Sequence, residues 1–162
     1  MRALTLLATI LFLSGCGLLG GAADLTPFEV AGRYSFTEYE IQPTAESLRD
    51  LDLLGDEVSR DLTLVLTETG EARIERLRGD RVDETYGIGS YEISGRTVRL
   101  RFRDVGDLGD VLMPRSVEFD AGNGRLSSNV FLEGVNLEEV SNDYSGITRA
   151  DVRLQLSLRT MN

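Results

Sequence analysis

The chain has 162 residues, with 27 Asp and Glu against 17 basic residues and a net charge of −10. All of the basic residues are arginine, and histidine, lysine and tryptophan are absent. An acidic balance of this size argues against nucleic acid as a partner, since phosphate backbones are bound by clustered positive charge, and without histidine or lysine the commonest general base, metal ligand, Schiff base and phosphate-loop cation are missing.

The N-terminus opens with one positive charge, Arg2, followed by an apolar run over 4–13. That run is too short to span a bilayer, which needs about 20 apolar residues, but it has the length and flanks of a signal-peptide core. It closes on Leu13-Ser14-Gly15-Cys16, where two small residues precede the chain's only cysteine. This resembles the lipobox of bacterial lipoproteins. The resemblance implies that residues 1–15 are removed and that Cys16 is acylated, so that the mature chain sits in the cell envelope on a lipid anchor. Palmitate and a diacylglycerol on one cysteine make a stable anchor, because each buried methylene contributes about 0.8 kcal/mol. Gly17 follows Cys16 directly; by the same resemblance the absence of aspartate there points to the outer membrane in a two-membrane cell. Residues 16–27, rich in Gly, Ala and Leu without a period, read as a flexible tether. With no second thiol the domain has no internal disulfide.

Beyond the tether, over 28–160, the pattern becomes short strands divided by turns. In 32–41 Tyr34 and Phe36 share one face, while Ser35, Thr37 and Tyr39 share the other. Thr44 is placed to cap a short helix through Leu54, which Gly55 and Asp56 stop. Leu62, Leu64 and Leu66 recur at period two, and Thr69-Gly70 turns the chain into a partner strand over 72–78. A strand over 86–93 follows, with Gly87 and Gly89 marking a bend. In 96–103 Val98, Leu100 and Phe102 face one way and Arg99, Arg101 and Arg103 the other. Strands over 115–120 and 125–132 flank an Asn123-Gly124 turn, and a helical turn is expected over 137–140. The last strand, 151–159, alternates Val152, Leu154, Leu156 and Leu158 with polar residues.

About eight strands joined mostly by hairpins make an all-β, antiparallel up-and-down barrel the expected fold, with the short helix after the first strand as its one helical addition. An open β-sandwich is the alternative. Three features, the Gly32-Arg33-Tyr34 opening, the stretch from Gly89 to Leu100 and the closing Leu-x-Leu-x-Leu-x-Arg strand, are similar to those of bacterial lipocalin-like lipoproteins. That resemblance implies a cup-shaped barrel for a lipid or another apolar small molecule. It places Tyr34 where the family has tryptophan, with Arg159 or Arg153 packed over the ring by a cation–π contact.

Three charged clusters invite a function. Residues 73–103 hold eight arginines against five acids, either a surface for lipid phosphates or, as favoured here, outward cross-strand ladders. Asp104, Asp107 and Asp110 stand beside Gly106 and Gly109, but without the spacing of a calcium loop. Glu138, Glu139 and Asp143 lie near Tyr144, where two carboxylates suit acid–base work on a sugar; a solvated acidic loop is the simpler reading. No catalytic residue, metal or cofactor is therefore assigned, and the protein is expected to be a monomer and not an enzyme.

Two functional classes follow. In the first, Tyr34, Phe36, Leu64, Ile88, Leu100, Phe102, Leu154 and Leu156 point inward and line a cavity for a small apolar molecule or lipid. In the second, the same residues fill the barrel, and the protein is a structural or protein-interaction component of the envelope.

Overall fold

The period-two alternation predicted from the sequence folds into nine antiparallel strands in a computed structural model that describes residues 24–161, the side chains of Asp107 and Asp110 excepted. They are β1 (Gly32–Pro43), β2 (Leu51–Asp52), β3 (Leu62–Leu66), β4 (Glu71–Arg78), β5 (Arg81–Ser94), β6 (Thr97–Asp104), β7 (Ser116–Gly122), β8 (Arg125–Val135) and β9 (Ala150–Thr160). Each long strand pairs with its sequence neighbour, and β1 pairs with β9, so eight strands close into a barrel with no long free edge. The two-residue β2 is an addition, laid on β1 at Glu40 and Ile41.

Closure depends on β1, which carries β9 along one edge while its other edge is divided between β3 and β2. Its ladder with β9 shifts register between Phe36 and Glu38. Thr37 is the extra residue, and a bulge of this kind resets the in–out phase of everything after it. Tyr39, expected on the outer face with Ser35, is therefore fully buried, as is Ile41. The Tyr39 ring lies 5.2 Å from that of Phe36, tilted by 46°.

Turn chemistry agrees with the residues present. Asn123 and Gly124 join β7 to β8 with φ of 52° and 68°, the left-handed pair that a two-residue hairpin needs. Gly89 lies where β5 and β6 shift register; a Cβ there would fall on the Arg101 carbonyl and the Phe102 Cα. The bend expected at this glycine is thus a close crossing of two backbones.

The helix expected after the first strand is held to a single turn, in which the Leu48 N–H donates to the Ala45 carbonyl at 2.9 Å. From Leu51 the chain extends again as β2, because pairing with β1 and burial of Leu53 compete successfully with an isolated short helix. Two further short helices occur, α1 (Pro27–Val30) before β1 and α2 (Gly109–Leu112) between β6 and β7. The turn expected over 137–140 is a single 3-10 turn at Leu137–Glu139.

Both barrel ends are covered. At the entry end, where β1 starts, the segment leading into α1 crosses from the β5–β6 turn, where the Leu25 N–H donates to the Gly95 carbonyl at 2.9 Å. It ends at Val30, whose carbonyl accepts the Tyr34 hydroxyl at 2.7 Å. At the far end three connections, 44–61, 105–115 and 136–149, bury Leu53, Val58, Val105, Met113, Leu137 and Tyr144 against the core. The Leu53 N–H donates to the Tyr39 carbonyl and the Tyr144 hydroxyl to the Arg49 carbonyl, which ties two of these connections to the barrel and to each other.

Candidate functional site

Seven of the eight residues predicted to face inward do so. Tyr34, Phe36, Leu64, Leu100, Phe102, Leu154 and Leu156 belong to one buried cluster, supplied by four strands, β1, β3, β6 and β9, whose inner rows converge on the barrel axis. Ile88 does not join them: it is 50% exposed on the outer wall. The reason is its neighbour. Gly87 occupies the inward position, where a Cβ would touch the Ile74 and Phe102 side chains at 3.5 Å, so alternation sends Ile88 outward. Sequence reasoning also missed Tyr39, Ile41, Tyr91 and Phe119 as inward residues, all of them buried. For Tyr39 and Ile41 no local signal announces the bulge that turns them in.

Two clefts among the described residues open on the outside. One of about 490 Å³ lies at the far end, floored by Leu62, Leu108 and Leu112 and rimmed by Arg60, Arg76 and Tyr86. Another of about 470 Å³ runs along the outer wall of β1, β8 and β9 beside Thr37, Glu38, Arg125 and Arg159. Neither has Tyr34, Phe36, Leu64, Leu100, Phe102 or Leu154 in its wall. The interior instead holds large side chains that are almost wholly enclosed, among them Tyr34, Tyr39, Phe119, Leu100 and Met113. An eight-stranded barrel is just wide enough for side chains to fill.

Buried tyrosines set the electrostatics of this interior. Burial raises the pKa of the Tyr34, Tyr39 and Tyr91 hydroxyls. It pushes Tyr144 up to about 12, with help from the nearby Asp50 charge. Each hydroxyl donates to a backbone carbonyl, that of Val30, Leu112, Thr67 or Arg49. Buried hydroxyls used in this way hold structure and are not free to take a proton from a substrate.

The arginine-rich region pairs across strands. Arg99 meets Glu118 at 2.5 Å, Arg101 meets Glu92 at 3.7 Å, and Arg76 holds both Asp83 at 2.9 Å and Glu84 at 3.1 Å. Arg76 also donates to the Tyr86 hydroxyl and stands over its ring, 5.8 Å from the centroid. The cation–π contact expected at Tyr34 is absent. Arg153 and Arg159 occupy outward positions of β9, on the opposite side of the wall from the Tyr34 ring.

The acidic clusters have structural partners. Asp104 accepts the Gly106 N–H at 3.1 Å. Asp143 pairs with Arg49 at 2.6 Å, and Glu138 accepts the Gly146 N–H at 3.0 Å. Among the described residues no group of three or more His, Cys, Asp or Glu could hold a metal ion, and no helix is long and apolar enough to cross a membrane. Cys16, the signal segment and most of the tether lie outside the described residues.

Fold and interior define a closed, eight-stranded antiparallel β-barrel of a kind compatible with ligand binding. A scan of protein-family models and a search of curated proteins both find no match to the chain.

Proposed function

We propose that this protein is a non-enzymatic lipoprotein of the bacterial cell envelope, anchored through Cys16 to the outer membrane, and that its lipocalin-like barrel is filled and works through its outer surface. The observation that carries this reading is the enclosure of the inward set: the seven residues expected to line a cup are packed among Tyr39, Phe119 and Met113 and covered at both ends. The composition supports the absence of enzymatic activity, since lysine and histidine are lacking, and the hydroxyls of Tyr34, Tyr39, Tyr91 and Tyr144 are engaged by main-chain carbonyls.

A second reading keeps the barrel as a carrier of a small apolar molecule. It is favoured by the far-end cleft, whose volume of about 490 Å³ and leucine floor suit an apolar body. Native mass spectrometry of the intact protein, released in mild detergent, separates the two. The filled barrel predicts the mass of the acylated chain alone, before and after exposure to fatty acids and phospholipids. A discrete added mass that disappears in organic solvent overturns it in favour of the carrier.

A further inference from the structure

The entry end of the barrel gathers features that the filled interior does not explain. Phe28, in α1, is 77% exposed although its neighbour Val30 is buried. Because the segment carrying it crosses the barrel end from Gly95 to the start of β1, Phe28 points away from the barrel. Met161, beyond β9 at the same end, is 45% exposed, and its N–H is held by the Arg33 carbonyl. Exposed large apolar side chains are few among the described residues, and these two share one end of the molecule.

Beside them stands an unusual charge pair. Arg125 and Arg159 are direct register partners at the entry end of the β8–β9 ladder. Both are exposed, and no carboxylate of the described residues lies within ion-pair distance of either. Like charges directly opposite each other are destabilising in a sheet, and here they occur on a protein of net charge −10. They line the outer-wall cleft together with the hydroxyl-bearing Thr37, Ser127 and Ser157. Glu38, in the same cleft, is occupied by Gln155 at 2.7 Å and Ser157 at 2.6 Å.

From this arrangement we propose that the entry end rests on the bilayer, with Phe28 and Met161 seated among the headgroups and Arg125 and Arg159 on lipid phosphates. The inference builds on the reading of Cys16 as acylated. Asp24, the first described residue, lies at this same end, with its carboxylate near Gly95. Only eight chain steps separate it from Cys16, a span of at most about 28 Å. An anchor at Cys16 therefore holds the domain near the surface, and the entry end is the face closest to it. Glu68 and Glu71 stand on the β3–β4 turn of the same end, across β1 from the arginines, so the barrel leans on its β8–β9 side.

The absence of tryptophan makes the test clean. Phe28→Trp in the full chain, produced with its own first 15 residues in an acylating bacterial host, introduces a single indole at an exposed site. Phe131→Trp does the same on the outer wall of β8, 52% exposed and about 20 Å along the strand from Arg125. Both are reconstituted in vesicles of phosphatidylethanolamine and phosphatidylglycerol containing bromine-labelled acyl chains. Interfacial residues seat roughly 5–10 Å into the headgroup boundary, so quenching at position 28 is expected to exceed that at position 131 by about threefold, with a blue-shifted emission. Replacing both Arg125 and Arg159 by Gln in the Phe28→Trp chain lowers that quenching by about twofold, since each arginine at an anionic surface contributes to its attraction. Equal quenching at the two positions, or no effect of the double substitution, overturns the proposal. Intact mass keeps the two readings apart: a chain without added acyl mass removes the anchor, whereas an acylated chain whose Phe28→Trp emission is unshifted and unquenched removes only the orientation.

Discussion

Tyr39, inside the barrel, donates its hydroxyl to the main-chain carbonyl of Leu112 in the connection that closes the far end. A strand residue turned inward by a one-residue bulge thus holds down a loop far away in sequence. Tyr39→Phe keeps the ring and its packing on Phe36 but leaves the Leu112 carbonyl unpaired, at a cost of about 1–2 kcal/mol. Amide hydrogen exchange should accelerate over 105–115 and change little in β6 or β7. Uniform acceleration throughout the barrel would show that the bond serves global stability and not the loop.

Glu75 lies on β4 with its side chain only 4% exposed, accepting from Arg33 at 3.2 Å and facing Arg73 at 3.5 Å. The Arg73 Nε is buried with no partner, so this cluster depends on a single carboxylate. Glu75→Gln retains the shape and removes the charge, leaving two arginines uncompensated on a covered wall. Breaking a buried pair by removing one partner costs roughly 3–5 kcal/mol, and partial exposure of both arginines brings the expectation here to about 2 kcal/mol. Urea denaturation at constant m-value measures it, and an unchanged midpoint would assign the cluster no role in stability.

Leu100 is fully buried on β6, where its strand partners are Tyr91 and Val117. In a filled barrel Leu100→Ala leaves a cavity and costs about 3–4 kcal/mol. A residue lining an open cup has fewer contacts to lose, and its truncation should cost near 1 kcal/mol by the transfer term for the smaller contact area. Thermal melts of this variant give an independent reading of the interior beside native mass spectrometry.

Gly89 allows β5 and β6 to cross closely. Gly89→Ala forces the two backbones apart, and overpacking of this kind costs about 2–3 kcal/mol. Gly146→Ala, where nothing lies within 4 Å but φ is +82°, serves as the comparison. It carries only the strain of a left-handed residue, about 1 kcal/mol. A larger loss at Gly146 than at Gly89 would contradict the close crossing.

Alkaline stability follows from the tyrosines. Burial raises the folded-state pKa of Tyr34, Tyr39, Tyr91 and Tyr144 above the ordinary value of 10.0. The folded state therefore binds these protons more tightly than the unfolded one. Their contribution is fully present below pH 10 and is lost as pH rises through the folded values, about 12 for Tyr144. The protein should hold its melting temperature through neutral pH and unfold steeply between about pH 10 and 12, with tyrosinate absorbance at 295 nm appearing together with loss of far-ultraviolet dichroism. Tyrosinate absorbance well before unfolding would show these hydroxyls to be solvent-accessible.

Alternation and turn residues alone determined the barrel's strands. Leu62, Leu64 and Leu66, the row Val98-Leu100-Phe102 and the last strand each sort their own faces, because the pleat repeats every two residues. Asn123-Gly124 specifies its hairpin through backbone sterics that are equally local. Tertiary structure decided what a single strand cannot encode. The Thr37 bulge turned Tyr39 and Ile41 inward only because β1 must stay in register with β9 past that point. Ile88 was sent outward by the space that Ile74 and Phe102 claim beside Gly87. Segment 44–54, with its helical spacing of leucines, extended because β1 offered it a free stretch of edge. Whether the inward residues would line a cavity or meet one another depended on how three distant connections folded over the barrel end, a long-range packing outcome that no local pattern carries.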